Sequence, residues 1–392
     1  MSITSLINPS GDVSVQDSLW HIAYSDNSGQ VDFKYVFDIY NGSQQLIRTK
    51  VFPEPSNGRG YFDAGNVIRN QIVFDWFVPV NNTDKVFLYK PNASGEVSVT
   101  YNIRVGEDYS GVTTLNMASG NVTAYNWRPP LFKRKQNTIS VFDNKYLTNR
   151  STSAKLGLTE KLLIGYKGTG TLKFGYLTYD ANNTLIASGY SSGTYSSNGF
   201  YQLDIGPNAV NGGIGSTFIT SSTNYYKIRI ENTTNSTVTD WFTIYIDCDS
   251  RYTPINLHFM NQYGLFETAR FKLVSKLSMD IERKTFEKRE YSFGNTSVDY
   301  YDANKVYNES KVNYGSKANW TYKLTMDYPS DADFQWLSEL ITSPIIYAEI
   351  GDSYYPVTLK QTNYEYAEHI WAGLRTLEID IELNQTRYGF RR

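Results

Sequence analysis

Nucleophilic catalysis needs a Ser or Cys beside a His that an acid orients, and this chain offers few such pieces. It has three histidines, His21, His258 and His369, far apart in sequence, and one cysteine, Cys248. No phosphate-cradling G-x-x-x-x-G-K-[ST] loop occurs, and the G-x-S-x-G string at Gly189–Gly193 falls in a Gly/Ser-rich connection and not at a strand-to-helix turn. Cys248 sits in the phrase IDCDS, where a buried structural thiol is expected. A single Cys allows neither an intrachain disulfide nor a Cys-based zinc site within one chain. Asp247 and Asp249 have the D-x-D spacing of a calcium ligand pair, and Asp327, Asp331 and Asp333 gather at an expected helix start, where capping accounts for Asp333 without a cation. Glycoside hydrolysis needs two carboxylates across a cleft, and among 39 acidic residues no spacing singles out a pair. The expectation is therefore no catalytic residue, no metal and no cofactor.

Charge narrows the classes further. With 37 Lys and Arg the formal net charge is −2, so no global field draws nucleic acid or an anionic membrane to the whole surface. Positive charge concentrates twice: at Arg128, Lys133, Arg134 and Lys135 around a Pro pair, and in the tail, where Arg387, Tyr388, Phe390, Arg391 and Arg392 fall together. Either cluster could touch phosphate or pair with an acidic partner. A tail of Arg and aromatics also suits docking, because these residues are enriched at interface hot spots. The 33 Tyr, 20 Phe and 7 Trp could form sugar-stacking platforms or fill strand cores.

The elements that must position these residues are mainly strands, because apolar side chains recur at every second position. In VDFKYVFDIY, Val31, Phe33, Tyr35, Phe37 and Ile39 share one face and Asp32, Lys34 and Asp38 the other. Further strands are expected at 13–24, 45–52, 84–90 and 95–105, separated by turn signals, and their spacing reads as a sandwich. Within YFDAGNVIRNQI, Asp63 can cap a short helix carrying Val67 and Ile68. A second β block follows the basic segment, and its clearest hairpin runs from Tyr225 to Cys248, with Tyr226, Ile228 and Ile230 opposing Lys227, Arg229 and Glu231. Its Gly/Ser/Asn-rich connections 189–200 and 207–217 read as loops that order on assembly.

The last block differs in having one convincing helix. Ser330 and Asp333 approximate a capping box before Phe334, Leu337, Leu340 and Ile341, and Pro344 stops the helix. Long strands surround it. Phe271, Leu273, Leu277, Met279 and Ile281 oppose Arg270, Lys272 and Lys276, while Leu377, Ile379, Ile381 and Leu383 oppose Glu378, Asp380 and Glu382, so the two charged faces are complementary if those strands are neighbours. No convincing short-period repeat is found. The expected fold is mainly β: an N-terminal Ig-like β-sandwich over 1–127, a basic Pro-containing linker over 128–150, a second Ig-like sandwich over 151–250, and an α+β domain over 251–392 with long antiparallel strands and one principal helix.

The opening MSITSLINPSGDVSVQD lacks the basic and apolar regions of a secretory signal, so synthesis in a cytoplasm is expected. No apolar stretch approaches the roughly 20 residues of a membrane-spanning helix, and no membrane insertion is expected. Sequons at Asn41, Asn92, Asn232 and Asn319 are then better explained by Asn-rich turns than by glycosylation.

The segment DWFTIYIDCDSRYTPINLHFMNQYGLFETARF, 240–271, resembles a pattern in structural virion proteins of crAss-like and related tailed phages of Bacteroidetes, of the ring or tail-barrel type. In that pattern a hairpin leads through a Cys and a Pro to a strand ending in Phe-Leu-Asn-Arg, then Gly-Gly, an aromatic and an acid. Cys248, Pro254, Phe259, Asn261, Gly264, Phe266 and Glu267 fit it, whereas Met260, Gln262 and Leu265 depart from the commonest letters. The phrases VFDIY…GYFDAGNVIRNQI and FQWLSELITSPIIY look like companions in the same order, and together the matches cover about a quarter of the chain.

The resemblance implies a virion component, made in the host bacterial cytoplasm, that forms part of an oligomeric ring in the head-to-tail connector or tail barrel around the DNA path. Its partners would be copies of itself, sixfold or twelvefold, and adjacent portal, ring or tail proteins, with genomic DNA only passing through a lumen. Assembly candidates are then Phe259, Asn261, Gly264, Phe266, Glu267, the helix residues Trp336, Leu337 and Leu340, and the tail residues Arg387, Tyr388, Phe390, Arg391 and Arg392. Two other classes stay open: a receptor- or carbohydrate-binding fibre or adhesin, marked by exposed Trp and Tyr in a concave patch, and a β-rich glycan hydrolase, marked by two carboxylates across a cleft.

Overall fold

The computed structural model describes residues 3–9, 13–73, 86–89, 97–128, 144–168, 170–196, 199–232, 237–248, 251–287, 292–293, 295–299, 311–326, 331–351, 353–360 and 377–388. It is mainly β, as the alternating pattern requires. The chain forms two compact units, Met1–Asp249 with His258–Thr268, and Ser250–Leu257 with Ala269–Arg392.

The first unit begins with a sandwich built from β1 (Ile3–Ile7), β2 (Val13–Ser14), β3 (Trp20–Ser25), β4 (Lys34–Asn41), β5 (Gln44–Val51), β6 (Gly60–Asp63), the helix α1 (Gly65–Arg69), β8 (Ser98–Tyr109), β9 (Val112–Ala118) and β10 (Val122–Tyr125), while β7 (Phe87–Tyr89), between α1 and β8 in the chain, joins the next sandwich. One sheet runs β1-β3-β6 and the other β2-β10-β8-β4-β5, with β9 on β8. Between them Phe33, Tyr35, Phe37 and Ile39 pack with Tyr101, Ile103, Val105 and Ala23, the period-two face expected for this strand. Val31 departs from it. Asp32 turns the chain at φ 57°, β4 starts only at Lys34, and Val31 is 83% exposed.

A second sandwich follows: β11 (Lys145–Leu147), β12 (Ser153–Leu156), β13 (Leu163–Gly168), β14 (Thr171–Tyr179), β15 (Leu185–Tyr190), β16 (Tyr195–Ser196), β17 (Gly199–Asp204), α2 (Pro207–Ile214), β18 (Tyr225–Asn232) and β19 (Phe242–Ile246). Its sheets run β11-β13-β17-β7 and β12-β19-β18-β14-β15, with β16 on β14. The strand order repeats that of the first sandwich, down to a short early strand paired parallel with the last one, β2 with β10 and β12 with β19. The helix after the sixth position repeats too. Asp63 Oδ1 accepts the N–H groups of Leu19 (2.7 Å) and Gly65 (2.8 Å), and Asp204 Oδ1 accepts those of Leu162 (3.0 Å) and Gly206 (2.9 Å). A Cβ at Gly65 would lie 2.7 Å from Asp17 O, and one at Gly206 2.5 Å from Glu160 O, so both corners require glycine for the same close approach. The two sandwiches are one design used twice, with a spacing too long for a short-period search to find.

Three sequence expectations change here. The segment 207–217 was expected as a loop, but Pro207 at the first turn and Gly215 at φ 79° bound the helix α2. Residues 145–147, expected in the linker, are β11. Strand β7, expected in the first sandwich, instead pairs with β17 of the second, and Val86 beside it enters the second core. The two sandwich cores lie on either side of 127/128, with β7 and Val86 crossing it to join the second. The two compact units divide between Asp249 and Ser250, with 258–268 crossing back to the first.

The second unit contains β20 (Ile255–Met260) and β21 (Phe266–Phe271), both shared with the first, then β22 (Lys276–Glu287), β23 (Ser292–Phe293), β24 (Val298–Asp299), β25 (Lys311–Met326), α3 (Asp331–Thr342), β26 (Ile346–Ile350), β27 (Ser353–Leu359) and β28 (Leu377–Tyr388). Seven strands form one sheet in the order β21-β20-β26-β27-β28-β25-β22. Phe334, Trp336, Leu337 and Leu340 of α3 are buried, as are Leu324, Ile379 and Ile381. The strand expected to run unbroken through Phe271, Leu273 and Leu277 is interrupted between β21 and β22. Its charged face does not neighbour that of β28, because β25 lies between them.

Candidate functional site

Of the residues that carry the resemblance, Asn261, Gly264, Phe266 and Glu267 meet at the tip of the β20–β21 hairpin. Gly264 takes φ 75°, and a Cβ there would stand 2.4 Å from Asn126 O, so only glycine fits this turn. Asn261 organises the tip: its Oδ1 accepts the N–H groups of Tyr263 (2.9 Å) and Leu265 (3.2 Å), while its Nδ2 donates to Leu147 O (2.8 Å) and Glu267 Oε1 (2.6 Å). Thr148 Oγ1 donates to the other carboxylate oxygen of Glu267 at 3.0 Å. Gln202 bonds both the N–H (2.9 Å) and the C=O (2.8 Å) of Phe266. Tyr263 and Leu265 enter a small core with Val97, Trp127, Leu147 and Phe200.

This arrangement has a structural consequence for the assembly candidates. Phe259, Asn261, Phe266 and Glu267 are buried within the chain, so they fasten the hairpin and leave no side chain for a partner. Trp336, Leu337 and Leu340 are likewise buried. In the tail, Arg387 and Tyr388 pair in register with Ala318 and Lys317 of β25, while Phe390, Arg391 and Arg392 lie outside the described residues. Of the basic segment, Arg128 is exposed and its N–H bonds Gln262 O at 2.7 Å; Lys133, Arg134 and Lys135 lie outside the described residues.

What reasoning from sequence missed is the long sheet. Registers place Leu277, Met279 and Ile281 of β22 opposite Tyr322, Trp320 and Ala318 of β25, and Tyr322 opposite Ile381 of β28, which makes one face apolar. Towards β28 this face is buried. On β22 it is open, with Leu277 50%, Met279 42% and Ile281 43% exposed. The opposite face is charged: Lys323 meets Glu378 at 2.5 Å, and Lys360 meets Asp280 at 2.9 Å and Glu382 at 3.4 Å. Lys360 thereby holds the Asp280 carboxyl below the usual carboxylate range, and Asp280 in turn raises Lys360. The cations facing β28 are thus Lys323 and Lys360, not those of the 270–276 segment. The alternation in each strand was the available signal; its neighbours were not.

Other chemistry is sparse. Cys248 is exposed just beyond β19, contrary to the buried thiol expected, because the strand ends before it. Among the described residues no group of three His, Cys, Asp or Glu could hold a metal ion; Asp249 and Asp327 lie outside them. On the second sandwich Tyr179, Tyr225 and Tyr245 align across three strands with centroids 4.7 and 5.6 Å apart. The first pair is nearly parallel at 14°, so those rings stack on each other and do not lie flat as a sugar platform. On the first sandwich Ile7, Trp20 and Tyr24 are exposed. No helix among the described residues is long and apolar enough to cross a membrane. No protein-family model matches the chain, and no curated protein matches it.

Proposed function

We propose that the protein is a structural component of a tailed-phage virion, forming part of an oligomeric ring in the head-to-tail connector or tail barrel around the DNA path. The observation that carries this reading is the open apolar strip of the long sheet. Leu277, Met279 and Ile281 are about half exposed in one chain, and a strip of this kind is suited to cover by another chain. The phage-like hairpin segment agrees with it and has a mechanical role, since Asn261, Gly264 and Glu267 fix the tip rigidly and an assembly scaffold needs fixed geometry. A heterologous contact that closes by rotation gives a ring.

Mass photometry and negative-stain class averages test this, on the purified protein and on the protein co-expressed with its neighbouring portal and tail gene products. Closed rings of uniform subunit number in either preparation are expected. Absence of rings from both would overturn the reading.

A further inference from the structure

Strand β22 ends the long sheet, and all twelve of its residues are exposed. Among the described residues no strand pairs with its outer edge, and such an edge is the feature by which strands recruit other strands. The first half of the sheet's other edge is occupied by side chains. Gln202 bonds both backbone groups of Phe266, and Arg150 Nη1 donates to Thr268 O at 3.2 Å, so β21 has no comparable edge to receive a neighbour's β22 head to tail. What remains for β22 is its own copy.

The sequence of β22 is complementary to itself in an antiparallel register centred on Met279. About a twofold axis through Met279, Leu277 faces Ile281 of the other copy, Ser278 faces Asp280, and Lys276 faces Glu282, each twice. The apolar strip becomes continuous across the axis, and each charged end meets its opposite. Neighbouring registers are poorer: an axis at Ser278 faces Lys276 with Asp280, which Lys360 already holds, an axis at Asp280 opposes two Asp280, one at Ile281 opposes Asp280 to Glu282, and one at Glu282 opposes two Glu282. Among the described residues Lys276 and Glu282 make no ion pair, whereas Asp280 is already held by Lys360. We infer that the free protein forms an isologous dimer by antiparallel pairing of β22 with β22 of a second copy, centred on Met279. The contact closes on itself and hides an aggregation-prone edge. It goes beyond the ring reading, because a twofold edge contact is distinct from the rotational contact that closes a ring.

The test uses the full chain. Sedimentation velocity should show a dimer at micromolar concentration. Lys276→Glu and Glu282→Lys should each weaken it about tenfold or more, because each turns two attractive pairs repulsive, and the double variant should restore it. A second measurement fixes the register. With the exposed Cys248 replaced by Ser, Met279→Cys should cross-link two copies under mild oxidation, since directly opposed strand residues stand about 5 Å apart at Cβ, and Ser278→Cys should not. A monomer that Met279→Cys fails to cross-link, or a double variant no better than the singles, would overturn the inference. Rings without the cross-link, or the cross-link without rings, separate this contact from the ring assembly.

Discussion

Lowering the pH should weaken the first sandwich through one residue, His21. It is fully buried on β3, with Nδ1 2.8 Å from Asn8 Oδ1 and Nε2 3.1 Å from the Tyr101 hydroxyl. Burial pulls its pKa from 6.5 down to about 4, against a smaller opposing pull from Asp63. The unfolded chain takes up the proton as pH falls below 6.5, while the native chain resists until about 4. Stability from this group is therefore complete above pH 6.5, is lost as pH falls from 6.5 to 4, and changes no further below that. The difference, 6.5 − 4 = 2.5, at 1.36 kcal/mol per unit gives about 3 kcal/mol in all, of which about 2 kcal/mol is lost between pH 7 and pH 4.5. Urea unfolding followed by tryptophan fluorescence at both pH values measures this for the wild type and for His21→Gln. Subtracting the variant removes carboxylates such as Asp108, which Lys50 holds low. If the wild type loses no more than the variant, or if the imidazole resonance of His21 titrates near 6.5, the reasoning fails.

Two more substitutions probe buried polar groups. Asn261→Ala strips partners from Tyr263 N–H, Leu265 N–H and the carboxylate of Glu267, and should cost about 3 kcal/mol by urea unfolding; a cost under about 1 kcal/mol would show that the tip is not held this way. Arg229 binds Glu231 at 2.5 Å, and the Glu231 side chain is 1% exposed. Arg229→Ala should cost about 3–5 kcal/mol by leaving a buried charge unpaired, and adding Glu231→Gln should recover much of it; additive losses in that cycle would refute the coupling.

Elements governed by local pattern were legible from sequence. The alternation of Phe33, Tyr35, Phe37 and Ile39, the hairpin of Tyr226, Ile228 and Ile230, and the amphipathic run that became α3 all follow from side-chain period, which depends on backbone geometry alone. The chemistry-bearing residues were legible only as types. Asn261, Gly264 and Glu267 stood out by resemblance, yet their burial at the hairpin tip depends on Leu147, Thr148 and Asn126, more than a hundred residues away.

The sequence by itself determined a mainly β chain, one strong helix, two-faced long strands and a near-neutral balance of charge, because each rests on composition or on neighbours within a few residues. Only the tertiary structure decided which strands are neighbours. It placed β25 between β22 and β28, gave β7 to the second sandwich, revealed the doubled sandwich through Asp63 and Asp204, and left β22 open at the edge. Strand pairing is a contest among distant segments whose alternation is nearly the same, and it is settled by which whole arrangement buries the most apolar surface with its backbone groups satisfied, a sum over the fold that no local pattern contains.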